Sequence, residues 1–211
     1  MRMNAFPYLL IAVNLILAIC TNDIIAPRGH LTKRFFITPR TATKEIAHQI
    51  DWASDMMRSF VLGPEFDYAS FDALLSFLGE HLSDIKPLLE HVTLDRKDLC
   101  AQFAFAQRMY HVMHDCAYFM RLYSTSAPEH VLLRHILQLN VQILGLYDSN
   151  GFPDLCTESF TRTVMRLTHN LHEWDVAFEN LDEISLSTYL VYDNQFLEAQ
   201  KSLFHLARFA L

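Results

Sequence analysis

The stretch Asp95–Tyr123, DRKDLCAQFAFAQRMYHVMHDCAYFMRLY, restricts the fold more than any other part of the chain. It contains neither Gly nor Pro, and Leu99, Phe103, Ala106, Tyr110, Met113, Ala117 and Met120 recur at steps of four and three. That spacing draws one continuous stripe along an α-helix. A second stripe, Phe105, Met109, Val112, Cys116 and Phe119, runs beside it. Gln107, Arg108, His111, His114, Asp115, Tyr118 and Arg121 are left to form a narrow polar strip. A helix apolar round most of its girth has to be covered by several neighbours, so this segment is expected at the centre of the fold.

The other segments repeat the same period. Thr41–Leu62 places Ile46, Ile50, Ala53, Met57 and Phe60 on one face, with Thr41 or Thr43 as cap and Gly63-Pro64 as stop. After Asp67 or Ser70, Phe71, Leu74, Leu78, Leu82, Ile85 and Leu89 point inward. Gly79 and Pro87 there predict two short helices or one kinked helix. Val131–Tyr147 is apolar nearly all round and is expected deep in the fold. Its Asn140 would be a buried polar group that needs a partner and fixes register. Asp148-Ser149-Asn150-Gly151-Phe152-Pro153 is the clearest turn, and Phe160–Leu181 and Ser187–Phe209 resume the helical period beyond it. No stretch alternates with period two between hairpin turns. The pattern predicts an all-α, single-domain antiparallel bundle of five or six helices over residues 35–211.

The first 34 residues read as an address rather than fold. Arg2 precedes the thirteen-residue apolar run Tyr8–Cys20, which Thr21-Asn22-Asp23 ends well short of a membrane span of about 20 residues. Ala18 and Cys20 stand at −3 and −1 of a small-residue cleavage site before Thr21, so residues 1–20 are expected to be a cleaved signal peptide. An uncleaved anchor is the alternative. Residues 21–34 form a polar segment ending in Lys33-Arg34, a pair that fits dibasic processing and would leave a chain starting at Phe35. The expected localisation is secreted or extracellular. In layout alone, leader, dibasic pair and small helical domain resemble the secreted effector proteins and the hydrophobic-surface-binding proteins of fungi.

Charge narrows the partners. With the leader removed, four of the 17 basic residues and one of the 24 acids go with it, leaving 13 against 23, a net of −10. Such a surface repels phosphate backbones, so nucleic-acid binding has no electrostatic support, and no polybasic patch invites a membrane surface.

Cys100, Cys116 and Cys156 remain after the leader, an odd number that allows one pair at most. Helices starting near Asp95 and Asp154 would point the same way, with Cys100 and Cys156 in their first turns at the same end. A Cys100–Cys156 disulfide is expected, with Cys116 free and buried about 24 Å further along the helix. In a reducing compartment all three would instead be small core residues.

Eleven histidines include two look-alike sets, His111-x-x-His114-Asp115 and His169-x-x-His172-Glu173, whose i, i+3 spacing puts two imidazoles on one face. Both sets fall on polar strips, whereas metal sites in helical bundles project inward, so no metal and no other cofactor is expected. A phosphate-binding glycine loop and a Gly-x-Ser-x-Gly elbow are both missing, so no catalytic residue is assigned. The acids Glu173, Asp175, Glu179, Asp182 and Glu183 form a negative stretch suited to solvent or to partner recognition. Trp52 with Met56 forms either an exposed apolar patch or a satellite contact under the following loop. The expectation is a secreted protein that acts by binding a partner protein without catalysis. The alternative is a carrier or surface binder holding a lipid or other apolar ligand between its helices.

Overall fold

Six α-helices make up the described part of the chain, which in the computed structural model comprises residues 39–63, 65–155 and 159–210. They are α1 (Pro39–Val61), α2 (Tyr68–Leu88), α3 (Arg96–Leu122), α4 (Pro128–Leu144), α5 (Phe160–Glu179) and α6 (Leu186–Ala210). A 3-10 turn, Leu89–His91, follows α2. The expected signal peptide, Lys33-Arg34 and Cys156 lie outside the described residues. The all-α bundle is as the periodicity predicts.

Consecutive helices run antiparallel. Trp52 meets Phe77 and His81 while Phe60 meets Phe71, which sets α1 against α2. Trp52 is thus a half-buried contact to α2, neither an exposed patch nor packing under a loop. The Cys116 thiol donates to the Leu137 carbonyl at 3.4 Å while Phe105 meets Tyr147, so α3 opposes α4. Phe178 stacks on Tyr192 while the Thr161 hydroxyl donates to the Ala210 carbonyl, so α5 opposes α6.

The helices group as two triplets, α1–α2–α3 and α4–α5–α6, joined mainly along the α3–α4 seam. Both stripes of α3 are used: Leu99, Phe103, Ala106, Met113, Ala117 and Met120 are buried, and so are Phe105, Met109 and Cys116. Yet α3 is not the centre. It packs on α1, α2 and α4, whereas α4 packs on α3, α5, α6 and the end of α1. Leu133, Ile136, Leu137, Leu139 and Val141 of α4 are completely enclosed. The reason lies in the polar strip of α3, which no helix covers and which therefore faces outward.

Local chemistry explains most boundaries. α1 begins at Pro39, ahead of the expected caps, because proline suits a first helical turn whose N–H groups lack partners anyway. α2 is a single helix. The Asp67 carboxylate accepts from the Ser70 amide at 3.1 Å, and Pro87 falls in the last turn, where α2 passes into the 3-10 turn. Gly79 stays inside α2 because Tyr110 of α3 lies over it; a Cβ there would sit 2.6 Å from the Tyr110 hydroxyl. That hydroxyl donates to the Leu75 carbonyl at 3.3 Å. Arg134 donates to the carbonyls of Tyr123 and Thr125 at 2.6 and 2.7 Å, placing a cation at the negative end of α3.

The turn after α4 is held by Asp148, whose carboxylate accepts from the amides of Asn150 and Phe152, both at 2.9 Å. Gly151 takes φ +79°, and a Cβ there would press on the Phe105 ring at 2.9 Å. α5 starts at Phe160 rather than near Asp154, because the chain from Asp148 first folds back. The Asp154 amide donates to the Leu146 carbonyl at 2.9 Å.

Burial sets the expected response to mutation. Leu137→Ala in the seam loses about 2–5 kcal/mol of stability in urea unfolding. Met165→Ala, exposed on α5, stays within about 0.5 kcal/mol of the parent. Gly151→Ala loses about 1–3 kcal/mol through backbone strain, with the Phe105 contact adding to it.

Candidate functional site

α3 and α6 both rest on α4 but scarcely touch each other, which opens a groove of about 540 Å³ between them. That volume lies within the range of about 300–1,000 Å³ usual for ligand sites. The wall from α3 is the uncovered polar strip: Gln107, Arg108, His111 and Asp115, with Ala104 and Val112 beside them. The floor from α4 is Asn140, Ile143 and Leu144, and the wall from α6 is Gln195, Glu198 and Ser202. Steps of three and four on each helix put these residues on the same line.

Hydrogen bonds tie the walls to the floor. Asn140 donates its amide to both the backbone and the side-chain carbonyl of Gln195, each at 3.0 Å. This is the partner that a buried asparagine requires, and it fixes the register of α4 on α6. Arg108 reaches across to donate to the Ser202 hydroxyl at 3.1 Å and lies 5.8 Å from the centre of the Tyr147 ring. At the rim, Asp115 pairs with His114 at 3.0 Å and Glu198 pairs with Lys201 at 3.1 Å. These rim pairs are solvent-exposed and contribute little to stability, so they can exchange for a ligand's groups. The groove offers a guanidinium, an imidazole, two carboxylates and several amides. The Ser202 hydroxyl accepts from Arg108.

The residues singled out in the sequence are scattered. His111 stands at the groove edge against Tyr110, and His114 turns to Asp115. His169 pairs with Glu173 at 3.3 Å on the exposed side of α5. Among the described residues, no three or more His, Cys, Asp or Glu side chains gather as metal ligands would. Cys116 is buried, and burial with Asp115 nearby raises its thiol pKa far above the ordinary range. Cys100 is an exposed free thiol at the end of α3 that the Asp148 turn approaches, through Gln102 donating to Asn150 at 2.8 Å. That contact brings the turn after α4 to the start of α3; Cys156 precedes α5 rather than standing in its first turn, and the Cys100–Cys156 bridge rests on a residue outside the described ones. Among the described residues no helix is long and apolar enough to cross a membrane. No protein-family model matches the chain, and neither a curated protein nor a solved structure matches it.

Two histidines outside the groove link pH to stability. His81 packs on Trp52 and Phe77, and burial holds its pKa below the ordinary 6.5. His135 stacks on Trp174, with burial and then the Arg134 charge lowering its pKa in the same way. Each takes up a proton more readily unfolded than folded, so stability is complete above the unfolded value and falls as pH drops through it. The urea midpoint is expected to drop between about pH 7.5 and about pH 5.5, and the double variant His81→Gln, His135→Gln to flatten that slope. Thiol accessibility checks the cysteines: a folded, reduced chain is expected to be alkylated at Cys100 within minutes and at Cys116 only after unfolding, as followed by peptide mapping.

Proposed function

We propose that this chain is a secreted, non-enzymatic helical protein that acts by binding a partner protein, and that the groove between α3 and α6 receives a segment of that partner. The observation that carries the reading is the uncovered polar strip of α3. Gln107, Arg108, His111 and Asp115 face a wall of Gln195, Glu198 and Ser202 across a gap with room for several side chains. Such a lining favours a polar segment carrying both signs of charge, an acid toward Arg108 and a base toward Asp115 or Glu198. The charged and amide groups along both walls set partner binding ahead of apolar-ligand carriage. Arg2 with the Tyr8–Cys20 run and the Lys33-Arg34 pair supports secretion, and the net charge of −10 after the leader supports a protein rather than a nucleic acid as partner.

Ala104 is exposed in the groove wall, so Ala104→Trp fills the groove without disturbing the core. Wild-type protein cross-linked in the medium of the cells that secrete it is expected to retain a partner that the Ala104→Trp variant loses by at least about tenfold. Equal retention by both forms would sink the groove as the binding site. A stoichiometric lipid in mass spectra of the purified protein would replace the reading with a carrier.

A further inference from the structure

α6 carries a second apolar line, on the side opposite its core face. Leu186, Leu190, Leu197 and Phe204 are 73, 51, 38 and 74% exposed, although α6 already buries Tyr192, Ala199, Leu203 and Leu206 against α4 and α5. Leu190, Leu197 and Phe204 stand seven residues apart, the repeat that keeps one line of a helix facing a partner helix. The groove lies on another side of α6, with Gln195, Glu198 and Ser202, so this line needs an occupant of its own.

We infer that the outer line of α6 pairs with the same line of a second copy of this chain, antiparallel about a two-fold axis at Leu197. Two observations select that occupant. The line is self-complementary about Leu197. Reversal at that point sets Leu197 against itself, Leu190 level with Phe204, Asp193 with Lys201, and Asn194 with Gln200. These four levels match apolar with apolar, acid with base or amide with amide, which a two-fold interface requires of one patch, and Leu186, level with Arg208, lies beyond them.

The second observation is the charge layout of the α5–α6 hairpin. Because the two helices are antiparallel, Arg162, Arg166, Lys201 and Arg208 gather at one end, and Glu173, Asp175, Glu179, Asp182, Glu183 and Asp193 at the other. Antiparallel pairing lays each acidic end over the other copy's basic end, whereas parallel pairing would oppose acid to acid. In the single chain Lys201 pairs with Glu198 at 3.1 Å, an exposed contact that gives way readily to Asp193 of the second copy. A lipid surface or an unrelated protein would have no use for the palindrome.

The test is sedimentation equilibrium of the secreted protein across a concentration series, where the mass is expected to rise from that of one chain, fixed by mass spectrometry, toward twice that value. Leu197→Asp sets two like charges on the axis and is expected to weaken association at least about tenfold. Asp193→Lys alone and Lys201→Asp alone are each expected to weaken it, and the double exchange to restore it. All of these changes are on exposed positions, and circular dichroism confirms that each variant remains folded. A mass that stays monomeric, association indifferent to Leu197→Asp, or a double exchange that fails to restore it would each overturn the inference.

Discussion

The burial of α4 on all but the side of Arg134, His135, Gln138 and Gln142 is the constraint on which the rest of this fold depends. A helix with apolar side chains round most of its girth cannot be satisfied by one neighbour, and α3, α5, α6 and the end of α1 enclose it between them. Asn140 interrupts that apolar girth, and leaving its amide unbonded would cost about 1–3 kcal/mol. Gln195 of α6 supplies two acceptors at 3.0 Å and so sets where α6 must lie. Once α3 and α6 are both fixed on α4 but not on each other, a groove between them follows. Its polar walls are the same residues that have no place in the core.

α6 is consequently the element with the most surfaces. One face enters the core, one forms the groove wall, and the side opposite the core bears exposed leucines and Phe204. A surface of this kind, seven-residue spacing included, is unusual on a helix that already has a complete buried face. The groove and the outer line do not overlap, so occupation of one leaves the other open. Under the two proposals a partner segment and a second copy are held at once, which would present two grooves from one assembly and raise the effective concentration of both.

Much of this was legible in the sequence, and the limits have physical causes. Both apolar stripes of α3 are buried as their spacing requires, and the near-continuous apolar character of Val131–Tyr147 correctly marks the most enclosed helix. The girth of α3 nonetheless pointed to the wrong centre. Periodicity reports how much of a helix is apolar but not which neighbours cover it, and the strip at Gln107–Asp115 marked an open side. Gly79 reads as a helix break because its reason is the Tyr110 ring of another helix, which no local rule contains. The histidine pairs fall on the polar faces that their spacing assigns, each beside its own carboxylate. The groove itself was not legible, since it exists only through the separation of α3 from α6. The outer line of α6 was present in the spacing of residues 190, 197 and 204, behind the stronger stripe from Tyr192 to Ala210.

Hydrogen exchange of the native protein, resolved by residue and followed into denaturant, tests most directly whether α4 is the shared core of both triplets. The expected result is that the amides of Leu133–Val141 exchange only by global unfolding, with α3 and α6 losing protection in the same transition. If α5 and α6 opened together while α1–α4 stayed protected, the α5–α6 hairpin would be a separate unit, and the groove between α3 and α6 would lose its fixed geometry.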